Sequence, residues 1–137
     1  MTFSLILEII WILTNIASGN NTISEALFFG RGKDHHLMIQ FMESMMKSGN
    51  LMVKSSLVWF IRNLISENEP LAKILVDKCK LVQWLICLGN QSSSSLEHIT
   101  WNLNSLARFD LIEANDLPQV IQFLVYCAKI QDETLEY

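Results

Sequence analysis

Proline and glycine are both scarce in this chain: two and five residues respectively among 137. Each interrupts regular backbone, so their rarity excludes a turn-rich or low-complexity chain and favours long elements with few breaks. Charge is scarce too. Only 18% of residues are Asp, Glu, Lys or Arg, and the balance is acidic, net −4 with an isoelectric point near 5.3. No basic stripe runs through the sequence, which argues against a general nucleic-acid binder. Lys78 and Lys80 are too few to form a basic localisation run. Cysteine is limited to Cys79, Cys87 and Cys127, an odd number at spacings that match no zinc pattern, so buried, reduced thiols are expected. A membrane span needs ~20 apolar residues. Glu8 and Asn15 interrupt the apolar start, and no charged leader marks a signal peptide.

Signatures of catalysis are missing as well. There is no nucleophile elbow, no glycine-rich phosphate loop and no pair of acids at a catalytic spacing. Gly30-Arg31-Gly32 reads as a turn. His35 and His36 are adjacent, so on a helix they do not face each other, and no cysteine or carboxylate stands at a matching spacing. The chain is therefore expected to be a non-enzyme without metal or cofactor.

What is abundant is apolar surface in a helical pattern. Hydrophobic residues make up 50% of the chain and the mean hydropathy is +0.27. Residues 8–19 read EIIWILTNIASG. Leu5, Ile9, Ile12 and Ile16 recur at helical steps and predict a core stripe. Glu8, Trp11, Asn15 and Ser18 form a second stripe, which places an indole beside an amide on the polar side.

That arrangement returns twice. Trp11-Ile-Leu-Thr-Asn15-Ile-Ala-Ser18 is followed by Trp59-Phe-Ile-Arg-Asn63-Leu-Ile-Ser66, then by Trp101-Asn-Leu-Asn-Ser105-Leu-Ala-Arg108. The intervals are 48 and 42 residues, from 59 − 11 and 101 − 59. Periods of roughly 40–47 belong to helical repeats of two or three helices. Helices are expected between the Trp helices at about 22–29, 36–47, 70–77 and 80–88. Thr22 or Asn21 would cap the first of these, Gly49 would end the second as a C′ residue, and Pro70 would open the third. Gly89 would end the 80–88 helix, and the serines at 92–95 lead into the Trp101 helix. Another helix opens at Leu117-Pro118, with Leu117, Val120, Ile121, Leu124 and Cys127 on one stripe. Residues 132–137 read as the start of a further third helix. Trp84, which has no Asn partner, is expected to pack, and so are Met42, Met45 and Met46.

The expectation is an all-α chain of stacked helical triplets. Residues 1–19 are the third helix of a first unit, 20–67 and 68–108 are full units, and 109–137 are a partial one. Single units cannot bury their apolar faces, so neighbours must stack. No polar caps mark the ends, which suggests either a fragment or a chain that associates through its ends.

The Trp-x-x-x-Asn helix ending in Ala-Ser-Gly19 resembles the armadillo repeats of importin alpha, the adaptor family that carries nuclear localisation signals. The stretch from Leu96 to Arg108 is similar to a later repeat of that family. The resemblance implies an armadillo-type right-handed superhelix of three-helix repeats. It also implies a nuclear import adaptor of cytoplasm and nucleus that holds an extended Lys/Arg-rich localisation peptide. Trp11, Trp59 and Trp101 would form slots for basic side chains, the aliphatic stem lying between indoles. Asn15 and Asn63 would clamp the peptide main chain. Ser18, Gly19 and Ser24 would contact a key lysine, and Glu67 stands where the family has its pairing Asp. Three positions depart from the pattern. Ser105 replaces the third clamp Asn, with Asn104 beside it about 100° away on a helix. Arg62 stands where the family has a small residue, able to repel basic cargo or to pair with Glu67. His98, three residues before Trp101, falls on the groove stripe. The basic importin-beta-binding segment is not in this stretch, so importin beta is expected only if such a segment lies outside it. The competing expectation is a degenerate armadillo scaffold for protein–protein interaction without import activity.

Overall fold

A computed structural model describes residues 3–30 and 36–135. Gly32, His35 and Tyr137 lie outside the described residues. The described chain is all-α, with no strand. Its helices are α1 (Phe3–Ala17), α2 (Asn21–Phe29), α3 (His36–Met46), α4 (Leu51–Ile65), α5 (Glu69–Cys79), α6 (Leu81–Gln91), α7 (Leu96–Arg108) and α8 (Leu117–Leu135). Short 3-10 turns at Ser93–Ser95 and Ala114–Asp116 lead into α7 and α8.

Asparagine starts the helices. Asn20, rather than Asn21 or Thr22, caps α2, its side chain accepting from the Ile23 N–H at 3.0 Å. Asn50 accepts from Met52 and Val53 at the head of α4. Asn68 accepts from Leu71 at the head of α5, where Pro70 fills the first turn as the sequence predicts. Each such bond satisfies an N–H that the helix itself leaves unpaired. Gly49 is not left-handed, contrary to its reading as a C′ residue; among the described glycines a positive φ is found at Gly30, the C-cap of α2, with φ 65° and ψ −144°. Lys80 takes a left-handed φ of 53° between α5 and α6, and Asp110 one of 57° after α7. Those kinks end helices where no glycine stands.

α4 is the axis of the packing. Val53, Leu57, Val58, Phe60, Ile61, Leu64 and Ile65 are all buried on it, each large side chain worth about 1.5–3 kcal/mol on leaving water. It packs against α1 on one side and α7 on the other, with α3 and α5 also against it. The pairing recurs with a shift of three helices: α1 on α4 as α4 on α7, and α3 on α5 as α6 on α8. Side chains reach across to backbone at both Trp-helix contacts. Asn63 Nδ2 donates to the Thr14 carbonyl at 3.1 Å, and Asn102 Nδ2 to the Val58 carbonyl at 3.2 Å.

Several expectations are corrected. Leu5, Ile12 and Ile16 are not core: they are 51%, 55% and 41% exposed, while Ile10, Thr14 and Ala17 face inward. Gly89 does not end a helix. It is buried inside α6 because Phe123 of α8 presses on it, and a Cβ there would collide with the ring. The α8 stripe splits, with Val120 and Phe123 buried, Cys127 half-buried, and Leu117, Ile121 and Leu124 exposed. α8 also runs unbroken through Leu135, so no new helix begins at residue 132. Cys87 is exposed rather than buried, and Cys79 and Cys127 are half-buried; all three are free thiols. Met42 and Met46 are core and Met45 packs against it. Among the described residues no helix is long and apolar enough to cross a membrane.

Candidate functional site

The three Trp helices lie side by side, and each leaves its tryptophan open. Trp11 is 46% exposed, Trp59 39% and Trp101 46%. On α4 this follows from the packing. The buried residues take the rest of the central and C-terminal turns, so Trp59, Arg62, Asn63 and Ser66 form the outward stripe. Trp84 behaves differently. It is half-buried, and its Nε1 donates to the Met46 carbonyl at 3.0 Å, tying α6 to the end of α3.

The aromatic rings form one continuous row. Trp11 and Trp59 meet edge to face, ring centroids 5.1 Å apart at 70°. His98 of α7 lies flat on Trp59 at 5.2 Å and 18°. The Arg62 guanidinium sits 4.0 Å above the Trp101 ring, and its Nη1 is 3.0 Å from His98 Nδ1. The expected open slots are therefore closed in this arrangement. The first is shut by direct indole contact, and the second is filled by the chain's own histidine and arginine.

The surroundings of the histidine favour its neutral form. Partial burial holds the His98 pKa below its usual 6.5, the Arg62 charge pushes the same way, and Glu97 opposes both. A neutral imidazole can offer Nδ1 as acceptor to Arg62, whereas an imidazolium cannot. Arg62's polar partner is thus His98 and not Glu67.

The remaining predicted residues fall in two groups. Asn15, Ser18 and Gly19 are exposed at the end of α1, with Ser18 Oγ donating to the Asn15 carbonyl at 2.7 Å. Asn63 is half-buried and spends one of its two amide N–H donors on Thr14, which leaves the second N–H and the carbonyl oxygen to offer. Glu67 is exposed, and its backbone carbonyl accepts from Asn21 at 2.7 Å. Two residues do not reach the face. Ser24 is 2% exposed and donates to the Ala17 carbonyl, so its hydroxyl is enclosed between α1 and α2. Ser105 is 1% exposed, with an enclosed oxygen that has no hydrogen-bond partner, as does Asn102 Oδ1.

Asn104 is exposed on α7, three residues after Trp101. The sequence signal was available, because i+3 lies as close on a helix as i+4. Arg108 extends this edge, donating to the Ser66 carbonyl at 2.9 Å.

The Cys79 thiol lies away from this face, and burial, aided by Glu43, pushes its pKa up to about 11, which keeps it protonated at neutral pH. Among the described residues no three His, Cys, Asp or Glu side chains converge to hold a metal ion. The arrangement offers aromatic faces, amides and one cation held over an indole. No family model, curated protein or solved structure matches this chain.

Proposed function

We propose that this chain is part of an armadillo-type right-handed solenoid of three-helix units, acting as a nuclear-import-adaptor-like module in cytoplasm and nucleus. Its Trp-bearing face holds an extended Lys/Arg-rich peptide. The observation that supports this most is Arg62 itself. A guanidinium stacked 4.0 Å over Trp101 occupies the kind of place that a basic peptide side chain would take. Such a contact is worth about 0.5–1 kcal/mol when exposed and about 2 or more when desolvated. Asn15, Asn63 and Asn104 stand beside the three indoles and supply amides for a peptide main chain.

A labelled basic peptide titrated against wild type and a Trp59→Ala/Trp101→Ala double variant tests this. The double variant removes the exposed parts of both indoles, and with them the surfaces on which His98 and Arg62 rest, and is expected to weaken binding about tenfold or more. Equal affinities, or no binding by wild type at millimolar peptide, would sink the reading.

A second reading has its own observation. Ile12 and Ile16 on α1, and Ile121, Leu124 and Val125 on α8, are each more than 40% exposed. Apolar faces of this kind favour a scaffold that assembles with other helices. A monodisperse monomer across a wide concentration range in sedimentation speaks against it.

A further inference from the structure

The row of side chains between Trp59 and Trp101 has an asymmetry that the Trp pattern does not predict. Both facing surfaces are already covered, Trp59 by the His98 ring and Trp101 by the Arg62 guanidinium. A peptide Lys or Arg arriving here finds no bare indole face, and it meets a fixed positive charge. Two like charges about 4 Å apart repel by about 1 kcal/mol even in water, and by more where the surroundings are drier.

Arg62 is also an incompletely used donor. A guanidinium carries five N–H groups in one plane. The Trp101 contact places the guanidinium carbon 4.0 Å from the ring centroid and the His98 contact engages Nη1, which leaves further N–H groups for another acceptor. Among the described residues its polar contact is the single one to His98, and no carboxylate pairs with it. His98 fixes the orientation of the plane, and the side chain remains part-exposed. A half-buried, oriented cation with spare in-plane donors suits a planar carboxylate, which accepts two parallel N–H bonds.

From this we infer that Arg62 is a specificity-determining residue of the groove. It excludes a cation from the Trp59–Trp101 interval and selects an Asp or Glu side chain at that one position of an otherwise basic, extended peptide. The inference rests on the peptide-groove reading and sharpens it. The preferred ligand is then a mixed-charge segment, with its acidic residue in register with Arg62 and its basic residues at other points along the face.

The test is a positional scan. A Lys/Ala decapeptide carrying Lys, Gln or Glu at each position in turn is titrated calorimetrically against the whole chain. One position is expected to favour Glu over Lys by about three- to tenfold, with Gln between, as fits a part-exposed ion pair reinforced by hydrogen bonds. In Arg62→Gln that position is expected to turn to Lys, because the vacated Trp101 face can then take the peptide's cation. Arg62→Lys keeps the charge but loses the fork, and should keep only part of the Glu preference. Lys favoured over Glu at every position in wild type overturns the inference while leaving the groove intact. An unchanged Glu preference in Arg62→Gln overturns it too. Should Arg62→Gln fail to fold, by circular dichroism, the wild-type scan and Arg62→Lys still decide. No binding by any peptide removes the groove reading itself and this inference with it.

Discussion

His98 joins the aromatic row to the charge on Arg62, and its protonation has a calculable sign. Its pKa in the folded chain lies below the usual 6.5, through partial burial first and Arg62 second. The unfolded chain therefore takes up this proton at a higher pH than the folded one. The contribution of His98 is fully present above pH ~6.5 and is lost as pH falls through the folded value. Thermal melts between about pH 7.5 and 5 should show wild type losing stability faster than His98→Gln. Parallel curves for the two proteins would contradict a lowered His98 pKa in the folded chain. None of this could be read from the sequence. Both residues were visible near the groove stripe, but they are 36 positions apart, and which cation covers which ring depends on how α4 and α7 settle. Ser105 is enclosed for a simpler reason. The i+3 and i+4 positions both neighbour Trp101, and packing put Ser105 inside and Asn104 outside.

Among the helices, existence was legible and facing was less so. Apolar periods and the Trp interval predicted every helix carrying a tryptophan, and Pro70 marked the start of α5. α1 was turned the wrong way because both its faces are apolar. The stripe through Leu5, Ile12 and Ile16 looked the better core, yet α4 covers the side with Thr14 and Ala17, which are small enough for close approach. The caps give the sharpest prediction here. Asn68 is 2% exposed, accepts from Leu71 N–H and donates to Glu25 Oε1 at 3.2 Å, so it starts α5 and ties it to α2. Asn68→Ala removes both bonds and should cost about 1–2 kcal/mol in chemical denaturation. A change below a few tenths would mean that α5 needs no cap. Gly89→Ala sets helix propensity, worth about 0.5–1 kcal/mol in favour of Ala, against overpacking, which costs about 1–3. The clash with the buried Phe123 ring should win, loosening α8 first in hydrogen exchange.

For the whole molecule, stacking explains the hydropathy. The central helix is covered on several sides, whereas α1 and α8 keep apolar residues in solvent. The chain as it stands should therefore self-associate with rising concentration in sedimentation. Ile121→Glu, at a side chain 58% exposed, should weaken that by about tenfold without lowering thermal stability. Identical sedimentation of both proteins would count against these faces as contact surfaces. The central claim concerns the other surface, where three helices present their indoles together. The four tryptophans provide its most direct test, because each gives its own indole N–H signal in NMR. During titration with a Lys-rich peptide, the signals of Trp11, Trp59 and Trp101 should shift together and saturably. That of Trp84, held on the Met46 carbonyl, should stay in place. Signals that do not move, or a response led by Trp84, would contradict a peptide-binding Trp face.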